Sequence, residues 1–227
     1  MPSSGLAWCV MGSRVIVCRA LIFDMDGLMV DSEPLWWDVE RAFARGRGGD
    51  WPDEMAQDCV GQGIQHTLEK MSETFGFAID RERDAAAIVD GFIARIGELT
   101  LKQGCREILD AARPVPCAVA SSSKRRLVEA TLARFELGDR FDAIATGDFL
   151  RAKPAPDIFL EAARRLGMQA AECVVLEDAL AGIMGARAAG MRTIAVPERA
   201  PERLAPWADA VVLNLYEARA MLAFETQ

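Results

Sequence analysis

Histidine and lysine are scarce in this sequence, which has one His and four Lys among 227 residues. A single His excludes a catalytic or metal site built on paired histidines. The six cysteines include no Cys-x-x-Cys pair. Three of them, Cys18, Cys117 and Cys173, lie in apolar runs typical of strands. We therefore expect reduced thiols in the core of a cytoplasmic protein.

Positive charge is also in short supply, with 26 Lys and Arg against 34 Asp and Glu and a net charge of -8. Because nucleic acids are bound mainly through excess Lys and Arg, we expect no nucleic-acid partner. A phosphorylated small molecule is not excluded, since a metal and one Lys can reverse the field inside a pocket. No apolar run reaches the length of about 20 residues that crosses a bilayer, so we expect no membrane partner. Residues 1–14 are interpreted as an N-terminal extension.

Short apolar runs, each of which ends in polar residues, recur along the chain. The runs cover residues 20–23, 117–120, 141–146, 173–176 and 192–196. Asp24 follows the first run, and Ser121 to Ser123 follow the second. Gly147 and Asp148 follow the third, with Lys153 soon after, and Glu177 and Asp178 follow the fourth. Continuous runs of this length favour strands that are buried on both faces.

Helical patterns separate these strands, at residues 124–135, 157–166 and 179–189. Alternating strands and helices predict an α/β fold with a doubly wound parallel sheet. Ligands of such sheets bind beyond the carboxyl ends of the strands. The polar residues after the strands should therefore meet in one pocket.

The segment from Pro34 to Leu101 breaks this alternation, because it shows only helical patterning, at residues 34–45, 64–75 and 81–99. We interpret residues 34–101 as an all-helical cap domain over the pocket, inserted into a core domain of residues 15–33 and 102–227.

The acidic residues of the predicted pocket favour phosphoryl transfer. Asp24 and Asp26 are two residues apart, so an extended chain directs both side chains to the same side, and Gly27 permits the sharp turn that follows. With Asp178 they form an all-oxygen cluster that suits Mg²⁺. One carboxylate can attack phosphorus while a second acid protonates the leaving oxygen. Ser121 can bind phosphate oxygens, and Lys153 can neutralise them.

Four motifs together resemble those of the haloacid dehalogenase superfamily, and more narrowly the branch of β-phosphoglucomutase and the sugar-phosphate phosphatases. They are Asp24-Met25-Asp26-Gly27 with Asp31-Ser32-Glu33-Pro34, then Ser121-Ser122-Ser123, then Lys153-Pro154-Ala155-Pro156-Asp157, then Glu177-Asp178-Ala179-Leu180-Ala181-Gly182. The resemblance spans residues 19–222 and implies a Rossmann-like core with a helical cap inserted after the first strand.

The resemblance also implies a role for each residue. Asp24 would be the nucleophile and a metal ligand, and Asp26 the general acid and base, with its backbone carbonyl on the metal. Ser121 would bind the phosphoryl group that Lys153 neutralises. Asp178 would ligate Mg²⁺, and Glu177 would ligate it or hold its water. Ser122 and Gly27 are further candidates for phosphate binding, although we expect Ser122 and Ser123 to cap the following helix.

The cap favours hydrolysis over mutase chemistry. Trp36 occupies the position of a mutase His, and the Arg expected after Gly61 is absent from the stretch Gln62-Gly63-Ile64-Gln65. We therefore predict a monomeric, Mg²⁺-dependent phosphatase of small phosphorylated metabolites, sugar phosphates first, with a phosphosugar mutase as the alternative. Dehalogenation is less favoured, because it needs no metal or phosphoryl site and Asp26, Lys153 and Asp178 are all present. A non-catalytic binding protein on the same fold would be suggested by a lost nucleophile or metal acid, and none is lost. Specificity should lie in the cap, at residues such as Trp36, Gln62, Gln65 and His66.

Overall fold

Six strands form one parallel sheet in the computed structural model, which describes residues 15–148 and 150–226. The strands of this sheet are β2 (Ala20–Phe23), β3 (Cys117–Ser121), β4 (Ala143–Thr146), β5 (Cys173–Glu177), β6 (Arg192–Ala195) and β7 (Ala210–Val211). Their order is β4-β3-β2-β5-β6-β7. A separate parallel pair joins β1 (Ile16–Cys18) to β8 (Leu222–Phe224). The predicted doubly wound parallel sheet is confirmed.

Strand β2 lies at the centre of the sheet because it pairs with β3 on one side and with β5 on the other. Later strands are added outward from this centre, first in one direction and then in the other. The crevice beyond the carboxyl end of β2 is therefore the position at which doubly wound sheets bind ligands.

The faces of β2 pack into two different apolar clusters, because successive side chains of a strand point to opposite sides. Leu21 and Phe23 belong to the larger cluster, while Ala20 and Ile22 pack with Phe159. All four β2 side chains are fully buried. Burial on both faces explains why this run is continuously apolar.

The helices cover the sheet and form the segment between β2 and β3. They are α1 (Glu33–Arg45), α2 (Asp53–Gln57), α3 (Ile64–Phe75), α4 (Arg81–Ala94), α5 (Cys105–Ala111), α6 (Arg125–Arg134), α7 (Asp157–Leu166), α8 (Leu180–Ala188), α9 (Pro201–Leu204) and α10 (Leu215–Ala220). The predicted bounds of α3 and α7 are confirmed. The helix predicted over 81–99 ends at Ala94, and a 3₁₀ turn covers Ile96–Glu98.

Helices α1 to α4 make up the helical insertion, as we name residues 34–101. The chain enters and leaves it through adjacent segments: the Asp31 amide donates to the Thr100 carbonyl at 2.9 Å, and the Lys102 amide to that of Met29 at 2.9 Å. The insertion has an apolar cluster of its own around Trp51 and Met71. Paired linkers and a separate core support our proposal that the insertion is a cap domain.

Three smaller expectations concern the ends of elements and the cysteines. The described cysteines are free and buried, as expected. The prediction that Ser122 and Ser123 cap α6 is wrong, because the Arg125 amide donates to Asp148 Oδ2 at 2.7 Å and Lys124 occupies the N-cap position. The predicted extension at residues 1–14 lies outside the described residues. In the part of the chain that is described, no helix has the length and apolarity needed to cross a membrane.

Candidate active site

Asp24 begins the site at the carboxyl end of β2, where its amide donates to the Leu176 carbonyl of β5 at 3.0 Å. Its carboxylate contacts the ammonium group of Lys153, which also donates to Glu177 Oε1 at 2.6 Å. Asp24, Lys153 and Glu177 are buried, with 5%, 3% and 1% of their surface exposed. The residue after β2, the last residue of β5 and the loop after β4 thus contribute to one buried ionic network.

Asp178 completes an acidic cluster with Asp24 and Glu177, in which one carboxylate oxygen of each residue lies within 4.8 Å of the others. Burial is the largest cause that raises the pKa values of Asp24 and Asp178 above their usual range, and neighbouring carboxylates add to it. Burial alone would lower the pKa of Lys153, but the charges of Asp24 and Glu177 outweigh it and raise the pKa.

The charge balance of this cluster fits a divalent cation. Three carboxylates against one ammonium leave two negative charges, which bound protons or a divalent ion must neutralise. The donor atoms are all oxygens, which is the ligand type that Mg²⁺ prefers. Asp24, Glu177 and Asp178 are therefore the residues that would hold the predicted metal.

Gly27 and Gly182 provide the space that this cluster needs. A Cβ atom on Gly27 would lie 2.1 Å from Asp178 Oδ2, and one on Gly182 would lie 1.6 Å from Glu177 Oε1. Gly27 also has a φ of +81°, a conformation that favours glycine. The structure thus places Gly27 against a carboxylate of the acidic cluster, whereas the sequence suggested phosphate binding.

Asp26 directs its carboxylate away from the acidic cluster and toward hydroxyl and indole donors. Trp36 Nε1 donates to Asp26 Oδ1 at 3.0 Å, and Ser123 Oγ donates to Oδ2 at 2.8 Å. Ser121 Oγ lies 3.5 Å from the same oxygen. This carboxyl group is therefore not one of the three acids of the cluster, although its charge helps to raise the pKa of Asp24.

Ser121 ends β3, which is the other neighbour of β2, and Ser122 follows it. Ser121 is buried, and its hydroxyl accepts a hydrogen bond from the Ser123 amide at 3.1 Å. The Ser122 hydroxyl is buried and has no hydrogen-bond partner within residues 15–148 and 150–226. A buried hydroxyl without a partner costs free energy unless a ligand or water satisfies it, so Ser122 is suited to bind a ligand oxygen.

All of these groups except Gly27 and Gly182 line one cavity between the sheet edge and the helical insertion, with about 800 Å³ of empty space including its open mouth. The insertion contributes Trp36, Trp37, Glu40, Ala56, Cys59, Val60, Gly61, Gly63, Ile64 and Thr67 to its wall. Among the described residues, the basic side chains of the wall are Lys124 and Lys153, both from the core. The insertion side of the cavity is therefore apolar and mildly acidic.

Of the residues of the insertion that the sequence suggested for specificity, the structure brings only some to the cavity among those that it describes. Trp36 lines the cavity. The side-chain amide of Gln62, however, donates to the Asp58 carbonyl at 2.8 Å, and that of Gln65 donates to the Arg81 carbonyl at 3.0 Å. These two residues and His66 lie outside the wall. Glu40 is a wall residue that the sequence interpretation missed, although its position one helical turn after Trp36 is a usable signal.

The parallel sheet, the carboxylates at the end of its central strand and the helices over them are the arrangement of an α/β enzyme that acts on phosphoryl groups. Comparison with known proteins specifies the family. Residues 21–196 match the model of the haloacid dehalogenase-like hydrolases. The chain belongs to this family, in its β-phosphoglucomutase-like branch, and is a phosphoric monoester hydrolase.

Named relatives and a solved structure are similar over most of the chain. Hexitol phosphatase B of Escherichia coli (strain K12) is 36% identical over 203 residues, which cover 81% of this chain and 84% of that protein. Fructose-1-phosphate phosphatase YqaB of the same organism is 33% identical over 195 residues, which cover 78% and 95%. The crystal structure of β-phosphoglucomutase from Clostridium difficile superposes with a TM-score of 0.80 at 25% identity, covering 88% and 92%.

Proposed function

We propose that the protein is a Mg²⁺-dependent phosphatase that hydrolyses a small phosphorylated sugar or polyol through an aspartyl-phosphate on Asp24. The observation that carries this proposal is the buried cluster of Asp24, Lys153, Glu177 and Asp178. The cluster opens into a cavity beside the Ser122 hydroxyl, which has no partner in the part of the chain that the structure describes. The simplest form of such an enzyme is a cytoplasmic monomer.

Asp24 and Asp26 divide the chemistry between them. An Asp24 carboxylate oxygen forms a bond to phosphorus, and the ester oxygen leaves with a proton from Asp26. Asp26 then takes a proton from a water molecule, whose oxygen attacks phosphorus and breaks the bond to Asp24. The hydroxyl donors around Asp26 hold its carboxyl group in one orientation for both proton transfers.

Side chains of the core domain position the phosphoryl group. Ser121 and Ser122 supply hydroxyl groups, and Lys153 supplies a positive charge. Mg²⁺ bound by Asp24, Glu177 and Asp178 would neutralise charge that develops on the phosphoryl oxygens. The charge of Lys153 lowers the pKa of Asp24 against the larger effect of burial, and the buried contact orients the carboxyl group that attacks phosphorus.

Hydrolysis is favoured over mutase chemistry by the charge of the cavity wall. A mutase has to hold a second phosphate at the cap side, yet the described wall residues of the insertion include Glu40 and no Lys or Arg. A carboxylate there would repel a second phosphate. The hexitol and fructose 1-phosphate substrates named for the relatives support sugar and polyol phosphates as the class.

The test is a panel of sugar, polyol and simple phosphomonoesters, assayed with and without Mg²⁺ for the parent and Asp24→Asn. We expect Asp24→Asn to lose activity by about 10³-fold or more, because the nucleophile is lost. Chelation should abolish phosphate release, and added Mg²⁺ should restore it. Asp139→Asn, at an exposed acid, is the control and should match the parent.

Two results would contradict the proposal: an Asp24→Asn variant as active as the parent, or activity that is unaffected by chelation. β-Glucose 1-phosphate separates the alternatives, because a mutase converts it to glucose 6-phosphate while a phosphatase releases inorganic phosphate. We expect free phosphate.

A further inference from the structure

Glu40 is a buried carboxyl group that the proposed chemistry does not use. It lies on α1 with 6% of its surface exposed, and it lines the cavity on the insertion side. Trp51 Nε1 donates to its Oε2 at 3.1 Å, and the Thr67 hydroxyl also hydrogen-bonds to it. Burial raises the pKa of this carboxyl group from 4.5 to about 7. An acid in such a place is costly unless it binds something.

The position of Glu40 relative to the reacting groups is set by α1. Trp36 contacts Asp26 through its indole nitrogen, and Glu40 follows four residues later on the same face of the helix. Four residues, or about 6 Å of axial rise, therefore separate Trp36 at the Asp26 end from Glu40 further into the insertion. A substrate whose phosphoryl group lies at Asp24 can extend along this wall toward Glu40.

The chemistry around Glu40 suits a hydroxyl group. A carboxylate can accept about four hydrogen bonds, and Trp51 and Thr67 account for two. Thr67 also lines the cavity, so its hydroxyl and the carboxyl group form a mixed donor and acceptor pair there. Trp36 and Trp37 add aromatic surface to the same wall, which suits the C–H faces of a carbon chain that carries hydroxyl groups.

We propose that Glu40, with Thr67 beside it, binds a hydroxyl group of the substrate distant from the phosphoryl group, and so selects polyhydroxylated phosphates over simple ones. This inference rests on the proposed phosphatase function and adds a specificity residue to it. Glu40 touches the distal part of the substrate and takes no part in the bond changes at phosphorus.

The experiment compares two substrates of equal carbon number, sorbitol 6-phosphate and n-hexyl phosphate, which differ in their hydroxyl groups. We expect the parent to prefer sorbitol 6-phosphate in kcat/KM by at least about tenfold. Glu40→Met should lower this preference about tenfold, mainly through KM, and should leave n-hexyl phosphate within about twofold of the parent value. Glu40→Gln keeps the size of the side chain and an acceptor for Trp51, and its kcat/KM preference for sorbitol 6-phosphate should fall several-fold.

Asp84→Asn is the matched control, because Asp84 is another buried acid of the insertion, bonded to Arg47 at 2.6 Å and absent from the described cavity wall. Its substrate preference should equal that of the parent. An unchanged preference in Glu40→Gln and Glu40→Met, or an equal loss on both substrates, would overturn the inference. A parent that released phosphate from no compound of the wider panel would refute the proposed function, whereas a parent that is active on the panel but does not prefer sorbitol 6-phosphate would overturn only the role of Glu40.

Discussion

At the scale of single residues, carboxyl groups are buried in two parts of the cavity wall. The two parts differ in the charge of the groups that surround the carboxyl groups. The acids around Lys153 share one ammonium group and suit a metal. The hydrogen-bond donors of Glu40 among the described residues are neutral and come from Trp51 and Thr67. Its charge is therefore uncompensated at neutral pH, and this has a consequence for stability.

Glu40→Gln should stabilise the protein at alkaline pH. The carboxyl pKa is 4.5 when unfolded and about 7 when folded, so the folded protein keeps a proton that the unfolded chain loses. The contribution of Glu40 to the free energy of unfolding is intact below pH 4.5 and is lost as the pH rises from there through 7. The total loss is about 3 kcal/mol. The free energy of unfolding of Glu40→Gln should exceed that of the parent by up to this amount at pH 8.

Denaturant unfolding of both proteins at pH 4.5, 6, 7 and 8 measures this difference. The gap between variant and parent should be near zero at pH 4.5 and reach its plateau at pH 8. A gap that is the same at every pH would show that Glu40 does not titrate in this range. Gain of stability with loss of substrate preference would be the expected pair of effects for a binding residue.

At the scale of elements, the acidic cluster depends on how closely α8 approaches the end of β5. Gly182 lies in the first turn of α8, and a Cβ atom there would overlap the Glu177 carboxylate at 1.6 Å. The helix can therefore come this close to the strand end only with glycine at that position. Glu177 in turn holds Lys153 and accepts from the Ala179 amide at 2.8 Å.

Gly182→Ala should displace Glu177 and weaken Mg²⁺ binding. We expect the Mg²⁺ concentration for half-maximal activity to rise about tenfold or more, since loss of a positioning contact near a metal costs 10- to 100-fold in affinity. Gly138→Ala is the control, because its Cβ atom would meet nothing within 4 Å. Mg²⁺ titrations of activity and of the unfolding temperature check the prediction, and coincident titrations for Gly182→Ala and the parent would contradict it.

The sequence predicted elements well where packing repeats along the chain, and poorly where it depends on distant partners. Helix α7 has Pro156 before it and Gly167 after it, so its bounds could be predicted from local signals. The pairing of β1 with β8 joins residues more than 200 positions apart, and three-residue strands carry little pattern. The four strand ends predicted which polar groups line the cavity, but the burial of Glu40 depends on Trp51 and Thr67 and could not be anticipated from α1 alone.

At the scale of the whole molecule, the helical insertion approaches the core through side chains at some points and through backbone at others. Arg126 of α6 donates to the Ala86 carbonyl of α4 at 2.9 Å, on an exposed surface where such contacts stabilise little. Gly61 makes the closer approach, because a Cβ atom there would lie 3.0 Å from the Cβ of Ala179, next to the acidic cluster. The distance between insertion and core at the active site is thus limited by Gly61.

Gly61→Ala should separate the two parts at the active site and reduce catalysis. Gly61 and Gly76 have similar positive φ angles, +77° and +71°, so alanine at either position costs about 1 kcal/mol of backbone strain. Nothing lies within 4 Å of a Cβ atom on Gly76, whereas Gly61 faces Ala179. Both variants should therefore unfold at similarly lowered temperatures, while only Gly61→Ala loses kcat/KM, by about tenfold, because a cap held away from the core admits water and misplaces the substrate. Equal catalytic loss in the two variants would mean that strain within the insertion, and not its approach to the core, controls the reaction.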